Sequence, residues 1–244
     1  MACEEKCRKT LSFVMAAYNE GENIREAVRI VSQVLQEEVE DYEIILVDDG
    51  SRDNTLELMK ACAAEYPHIR ILENGINLNY GAAVLRGLLA ATKEWVVYDA
   101  CDLEMHPKDF VDSFRKLPEE LDVVVYERMT YEAVVWRRFA SLLNRFALNV
   151  LFPRLMRGTP VLNHTQMFRT ACVRKILPWS RSPIFFSPEL IFRAKLQGLR
   201  WHNEKIRFYS IDGIRPGAFG KLYDILWALQ DMLRFRFRLW GRSV

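Results

Sequence analysis

The apolar positions of this chain alternate between two rhythms through its first half. "TLSFVMAAY" is a continuous β-branched and apolar run, the pattern of a strand buried on both faces. In "GENIREAVRIVSQVLQ" the apolar residues Ile24, Val28, Val31, Val34 and Leu35 return at helical spacing. The same exchange repeats in "YEIILVDDGS", a strand, and "RDNTLELMKACAAEY", a helix capped by Asp53 or Asn54. Strand "IRILEN" precedes "GAAVLRGLLAATK", a small-residue helix suited to close packing. Strand "EWVVYDA" precedes "HPKDFVDSFRKL", a helix with Pro107 in its first turn, and strand "LDVVVYER" follows. Alternation of this kind predicts an α/β fold with a mostly parallel sheet flanked by helices on both faces. Such sheets bind ligands beyond the carboxyl ends of their strands, at a topological switch point. The polar clusters "YNEGEN", "DDGSRDN", "NLNYGA" and "DACDLE" all fall at those ends.

The second half is less regular. "EAVVWRRFASLLNRFALNVLFPRLMRG" is long, apolar and basic, with a break at Pro153. Between Arg128 and Arg157 stand six arginines and one acidic residue, Glu132. "SPELIFRAKLQG" reads as a helix with Ser187 as cap and Gly198 as stop. The final stretch, "ILWALQDMLRFRFRLWGR", interleaves Trp227, Phe235, Phe237 and Trp240 with Arg234, Arg236 and Arg238. That mixture predicts a basic amphipathic helix over 218–244, after a main domain over 1–217. It suits a membrane interface, with "FALNVLFPRLM" dipping into the same surface. The alternatives are that both segments pack as core or form a contact in a homo-oligomer.

Composition narrows the class. At 244 residues, half of them hydrophobic, the chain can bury a large core. Its near-balanced charge argues against a disordered chain or a nucleic-acid binder. Five scattered cysteines predict a reducing compartment, with Cys3 and Cys7 as free thiols. The first residues are charged, unlike a signal peptide, and no apolar run reaches the roughly 20 residues needed to cross a bilayer. The expected location is the cytoplasm, peripherally on the cytosolic membrane face.

The stretch "WVVYDACDLEMHP" carries the candidate metal chemistry. Residues two apart on an extended chain point to one side, so Asp102 and Glu104 can share a cation. Asp99 and Asp102 are three apart and do so only where the chain turns between them.

The motifs "AAYNEGENI", "YEIILVDDGSRDNT", "NLNYGAAVLRGLLAA" and "DLEMHP" stand in the order and spacing of family 2 glycosyltransferases with the GT-A fold. With "ERMTYEAVVWRRFASLLNRF", "FFSPELIFRAKLQGLRW" and "IRPGAFGK", the resemblance runs from about 11 to 235. It is nearest to the dolichyl-phosphate mannosyltransferase and polyprenyl-phosphate glycosyltransferase branch. The resemblance implies inverting transfer of a sugar from a nucleotide-diphosphate donor to a polyprenyl phosphate. Alternatives are transfer to a sugar or small-molecule hydroxyl, or a non-catalytic nucleotide-sugar binding protein.

Residue by residue, the resemblance implies donor contacts from Tyr18, Glu20, Asp49, Asn77, Gly81 and Asp102. A carboxylate such as Asp49 can accept from a ring N–H. Asp48 and Ser51 are either part of that site or only capping groups. Asp102 is implied as main metal ligand with Glu104, while Asp99 supports it or substitutes. Mg²⁺ or Mn²⁺ suits such hard oxygens, with a diphosphate supplying the rest. Around the acceptor phosphate it implies Arg128, Arg138 and Ser141, with Arg137 as an alternative to Arg138. Guanidinium forks fit phosphate oxygens. Arg215 and Lys221 are implied to close over the donor diphosphate. Glu189 matches an acidic position, either a base for a hydroxyl acceptor or a structural partner for an arginine. The chain also departs from the pattern. Ala16 stands for a proline, Asn79 for a glycine, Ala100 for the first aspartate and Gly220 for a serine. Asn163 and Met167 stand where an aspartate and a glycine are usual.

Overall fold

A computed structural model of the chain describes residues 6–103, 105–128, 135–159, 165–206 and 222–239. Strand β1 (Leu11–Ala17) is buried at every position. It lies inside the sheet between parallel neighbours β2 (Tyr42–Asp48) and β4 (Trp95–Ala100). β3 (Ile69–Glu73) extends the sheet beyond β2, also in parallel. The chain thus steps outward on one side of β1 and then returns to its other side. The switch point lies between the ends of β1 and β4.

Four helices connect this half, and each falls on its predicted segment: α1 (Ile24–Glu38), α2 (Thr55–Glu65), α3 (Tyr80–Ala90) and α4 (Pro107–Lys116). Ile24, Val28, Val31 and Leu35 of α1 join Phe110, Val111 and Phe114 of α4 over one face of the sheet. α3 covers the other face. A Cβ at Gly87 would lie 2.2 Å from Val14 Cγ1, so glycine there lets the helix settle on β1. Pro107 opens α4, where its missing N–H costs nothing.

β5 (Val123–Arg128) does not join β4 directly. β6 (Gln166–Arg169) runs antiparallel between them, and β7 (Trp201–Ile206) pairs in parallel on the far side of β5. The order is β3-β2-β1-β4-β6-β5-β7. The sheet is mostly parallel, and the sequence pattern had not marked β6 or β7 as strands. Two antiparallel steps restore direction, so the carboxyl end of β5 lies at the same edge as that of β4.

α5 (Val135–Leu151) ends before Pro153, which opens the short α6 (Pro153–Met156). α7 (Thr170–Val173) is one turn, and α8 (Phe186–Leu196) packs on the α3 side of the sheet. Gly198, at φ +67°, takes the chain out of α8 as expected. Ser187 is not the cap of α8: Phe185 is, and the Ser187 hydroxyl lies 2.9 Å from the Tyr98 hydroxyl. α9 (Leu222–Arg238) seats Ala228, Met232 and Phe235, with Leu239 just beyond its end, against Leu148, Phe152, Phe185 and Phe192. Phe235, expected with the interfacial aromatics, is therefore a core ring. Asp231 ties α9 down, its Oδ2 accepting from the Ser180 hydroxyl at 2.7 Å.

Candidate active site

The ends of β1, β2 and β4 bring together most of the implied donor residues. Tyr18 follows β1 with its ring exposed. Asn19 takes a left-handed φ of +56° and turns the chain toward the loop after β2. There the two loops clasp. The Asn19 N–H donates to Ser51 Oγ at 3.1 Å, and the Arg52 N–H donates to Asn19 Oδ1 at 2.8 Å. The Glu20 N–H donates to Thr55 Oγ1 at 2.8 Å, and the Gly21 N–H donates to Asp53 Oδ2 at 3.1 Å. Asp53 also accepts from the Thr55 N–H and hydroxyl, so Asp53 rather than Asn54 supplies side-chain bonds at the start of α2. Burial pushes the Asp53 carboxyl up, but these hydrogen bonds outweigh it and leave its pKa lowered.

Asp48 and Asp49 divide their work. Asp48 accepts from the backbone N–H groups of Gly50 and Ser51, so it builds the local turn. Ser51 belongs to the clasp. Asp49 is buried, and its Oδ1 accepts from Asn74 Nδ2 at 2.7 Å and from the Leu78 N–H at 2.9 Å.

Around α3, Asn77 is exposed and its Oδ1 accepts from the Asn79 N–H at 3.0 Å. Asn79, which stands for a glycine, has a positive φ, and at φ +75°, ψ 157° it lies outside the left-handed helical well. That region is almost reserved for glycine, and the strain sits at the rim of the site. Gly81 answers to packing: a Cβ would lie 2.8 Å from Phe186 Cδ2 and 3.1 Å from the Arg181 backbone. The space beside it is filled by the protein, which gives this glycine a structural reason independent of a donor.

After β4 the chain does turn. The Leu103 N–H donates to the Ala100 carbonyl at 3.2 Å, and Leu103 adopts φ +38° with its side chain fully buried. Asp99 and Asp102 stand at either end of this turn, both buried. Asp99 Oδ1 accepts from the Ala100 N–H at 2.9 Å and from Thr165 Oγ1 at 3.3 Å. Cys101 lies between them with its thiol 3.8 Å from the Ala16 carbonyl. Burial, then the charges of Glu20, Asp102 and Asp99, raise this thiol well above its ordinary range. Glu20, from the loop after β1, and Asp99 and Asp102, from the end of β4, are thus all near enough to Cys101 for their charges to act on its thiol. Burial, together with Asp53 and Glu22, raises the Glu20 carboxyl as well, despite a hydrogen bond from Asn23.

Among the described residues no group of three metal-binding side chains is close enough to hold an ion by itself. Glu104 lies outside the described residues, as do Arg215 and Lys221. Arg128 closes β5 at the same edge, and Arg137 and Arg138 lie in α5; the side chains of all three are outside the described set. Ser141 is exposed on α5.

Glu189, read as either a base or a structural partner, has structural partners. It is buried, with Oε1 accepting from the Trp179 N–H at 2.9 Å and from Arg193 Nε at 2.7 Å. Its Oε2 accepts from the Ser180 N–H at 2.8 Å. The structural half of its two readings is the one seen. Thr165 and Asn74, which position site carboxylates, were not singled out in the sequence, because each works through a contact distant along the chain.

In an α/β sheet of this kind the crevice at the switch point, where these carboxylates lie, is the place where ligands bind. The family model for glycosyl transferase family 2 matches residues 12–177, and the chain belongs to that family. Undecaprenyl-phosphate 4-deoxy-4-formamido-L-arabinose transferase of Pseudomonas fluorescens (strain SBW25) is 32% identical over 140 residues, which are 57% of this chain and 41% of that protein. The match thus spans about two-fifths of that curated relative's length. Among solved structures, glucosyl-3-phosphoglycerate synthase from Mycobacterium tuberculosis with Mn²⁺, UDP-Glc and phosphoglyceric acid superposes at TM-score 0.69. It is 21% identical, over 97% of this chain and 82% of that one. The same synthase with Mg²⁺ and UDP gives TM-score 0.68 at 19% identity, over 93% and 79%. These likenesses show the fold.

Proposed function

We propose that the chain is an inverting glycosyltransferase that moves a sugar from a nucleotide-diphosphate donor to a polyprenyl phosphate at a membrane surface. The family membership and the carboxylates gathered at the switch point support the donor half. The name of the curated relative, which includes undecaprenyl phosphate, supports the acceptor half.

The residues present fit Mg²⁺ or Mn²⁺. Asp99 and Asp102 offer hard oxygens from the two ends of one turn, and a donor diphosphate would complete the coordination. When bound, the cation neutralises charge developing on the leaving nucleotide. The protein's own part is to hold the donor. The clasp between residues 19–21 and 51–55 fixes the loop carrying Tyr18 and Glu20, and Asp49 accepts from the nucleoside. An acceptor phosphate is ionised at neutral pH and needs cations rather than a general base. Arg128, Arg138 and Ser141 are the groups assigned to it, and Arg215 and Lys221 to the diphosphate, on the resemblance alone. Transfer to a hydroxyl would need a base, and Glu189 is committed to Trp179, Ser180 and Arg193.

The observation that carries the choice of acceptor is the outer face of α5 and α9. Leu142, Leu143, Phe146 and Val150 recur on one side of α5, with Phe146 67% exposed. Leu226, Leu229, Leu233 and Phe237 form one stripe on α9, with Phe237 62% exposed. Arg234, Arg236 and Arg238 flank that stripe, as on helices that lie in an anionic membrane interface. No described helix is long and apolar enough to cross a membrane. The test offers the chain UDP-, GDP-, dTDP- and CDP-sugars with Mn²⁺, and either undecaprenyl phosphate in vesicles or a phosphorylated small-molecule hydroxyl. A lipid-linked sugar is expected. Product only on the hydroxyl would replace the lipid reading, and nucleotide binding without any transfer would favour a binding protein.

A further inference from the structure

The end of β3 joins Asp49 to a residue on α3 that no motif singled out. Asn74 follows β3, and its N–H donates to the Asp48 carbonyl at 2.9 Å. One nitrogen of Arg86 donates to the Glu73 carbonyl at 2.7 Å and to Asn74 Oδ1. A guanidinium has donors only, so the amide oxygen of Asn74 must face it. The amide NH₂ is thereby turned toward Asp49, and Nδ2 donates to Asp49 Oδ1 at 2.7 Å. The Leu78 N–H takes the same oxygen at 2.9 Å. With Oδ1 claimed twice from the protein side, Oδ2 is the oxygen left for a ligand, and an ionised carboxylate can only accept.

We propose that Arg86 and Asn74 are positioning residues that fix Asp49 as a one-sided acceptor for a ring N–H of the donor base. The site would then favour a base with such a donor, uracil, thymine or guanine, over cytosine or adenine. In the latter two the corresponding ring nitrogen is an acceptor and would face the carboxylate lone pairs. The inference rests on the donor-site reading given above. Without Arg86 the Asn74 amide loses the anchor on its oxygen and is free to swing away from Asp49, so the effect of Arg86 reaches the base through two hydrogen bonds.

The test is calorimetric titration of UDP, CDP, GDP and ADP, with Mn²⁺, into the wild-type chain and three variants. Wild type should prefer UDP to CDP or GDP to ADP. Arg86→Ala should lower that ratio roughly 3- to 10-fold. Arg86→Lys, which can still donate to the amide oxygen, should recover most of it. Asn74→Asp keeps the partner of Arg86 but sets a carboxylate against Asp49, and should lower the ratio at least about 10-fold. A merely structural role would weaken all four nucleotides alike. A wild-type preference for CDP or ADP, or ratios unchanged in both Arg86→Ala and Asn74→Asp, would overturn the proposal. Should wild type bind no nucleotide, the donor reading fails instead, and the relay is judged by NMR of the Asn74 side-chain amide. One amide hydrogen protected from exchange in wild type and exposed in Arg86→Ala upholds it; no protection in wild type overturns it.

Discussion

Helices α1 and α9 seat apolar stripes in the protein in the same manner and treat their outer faces in opposite ways. The outside of α1 carries Arg25, Arg29, Gln33 and Glu37, linked along the helix by Arg29 to Glu26 and Gln33, and by Gln33 to Glu37. Those side chains are made for water. The outside of α9 carries Leu226, Leu229, Leu233 and Phe237, and α5, packed beside it, repeats the arrangement. Burying one such side chain stabilises by about 1.5–3 kcal/mol, so a row of them left in water is a large unclaimed contribution. The loops at the donor edge are held by polar contacts within the chain, while the α5–α9 face leaves its apolar side chains exposed, as the proposed membrane contact requires.

The comparison predicts that the two regions can be disabled separately. Asp102→Asn should lower transfer by about two to three orders of magnitude and abolish the Mn²⁺ dependence of nucleotide binding, leaving vesicle binding as in wild type. Asp99→Asn should cost less if Asp102 is the principal ligand. Equal losses would mean that the two carboxylates act as a pair across the turn. Vesicle binding that falls with Asp102→Asn would break the separation.

The reciprocal experiment places charge on the apolar face. Leu142→Glu with Phe146→Glu, or Leu226→Glu with Leu233→Glu, should weaken sedimentation with anionic vesicles at least about 10-fold. Nucleotide affinity and Tm should stay close to wild type, because these side chains already point away from the core. A fall in dimer content, with vesicle binding unchanged, would show that the face meets a second copy instead.

The two regions also differed in how far the sequence revealed them. β1 through β5 and α1 through α4 fell where periodicity put them, since each element is long enough to show its rhythm and each connection is local. β6 escaped because it has four residues and is defined by antiparallel pairing with β4 and β5, far away in the chain. β7, "WHNEKI", alternates weakly because it lies at the sheet edge. In the site, carboxylates could be located but not their partners. That Asp48 builds a turn while Asp49 faces Asn74 is decided by the fold, since the two residues are adjacent and chemically identical. Glu189 had two readings until Trp179, Ser180 and Arg193 were seen to surround it. The turn joining Asp99 to Asp102 depends on Leu103 holding φ +38° while buried, which no propensity would favour.

Strain at the donor edge gives a smaller, opposite effect. Asn79→Gly places the residue suited to φ +75°, ψ 157° and should stabilise by about 1 kcal/mol in denaturant unfolding, after the extra entropy of glycine in the unfolded chain is counted. A loss of stability would mean that the asparagine side chain does more there than its backbone costs. On α9 or α5 no such gain is available, because no non-glycine residue among those described there has positive φ.

The smallest effect is electrostatic. Burial raises the Glu20 carboxyl, with help from Asp53 and Glu22, so Glu20 binds its proton more tightly when folded. A group of this sign favours folding while protonated, and the contribution is lost as pH climbs from the ordinary carboxylate range through the raised value. Glu20→Gln keeps an oxygen for Asn23 and cannot ionise. It should match wild type in Tm near about pH 3 and exceed it slightly near about pH 7. Parallel curves across that range would sink the assignment. The charges that disfavour an ionised Glu20 are those of Asp53 and Glu22, and Glu20 in turn is one of the charges that raise the Cys101 thiol beside Asp102 and Asp99. Under the proposed cation site, adding Mn²⁺ with UDP should narrow the gap at about pH 7, because a positive charge bound near Glu20 favours its ionised form. A gap that persists would place Glu20 outside the field of the bound cation, with burial, Asp53 and Glu22 still setting its proton affinity.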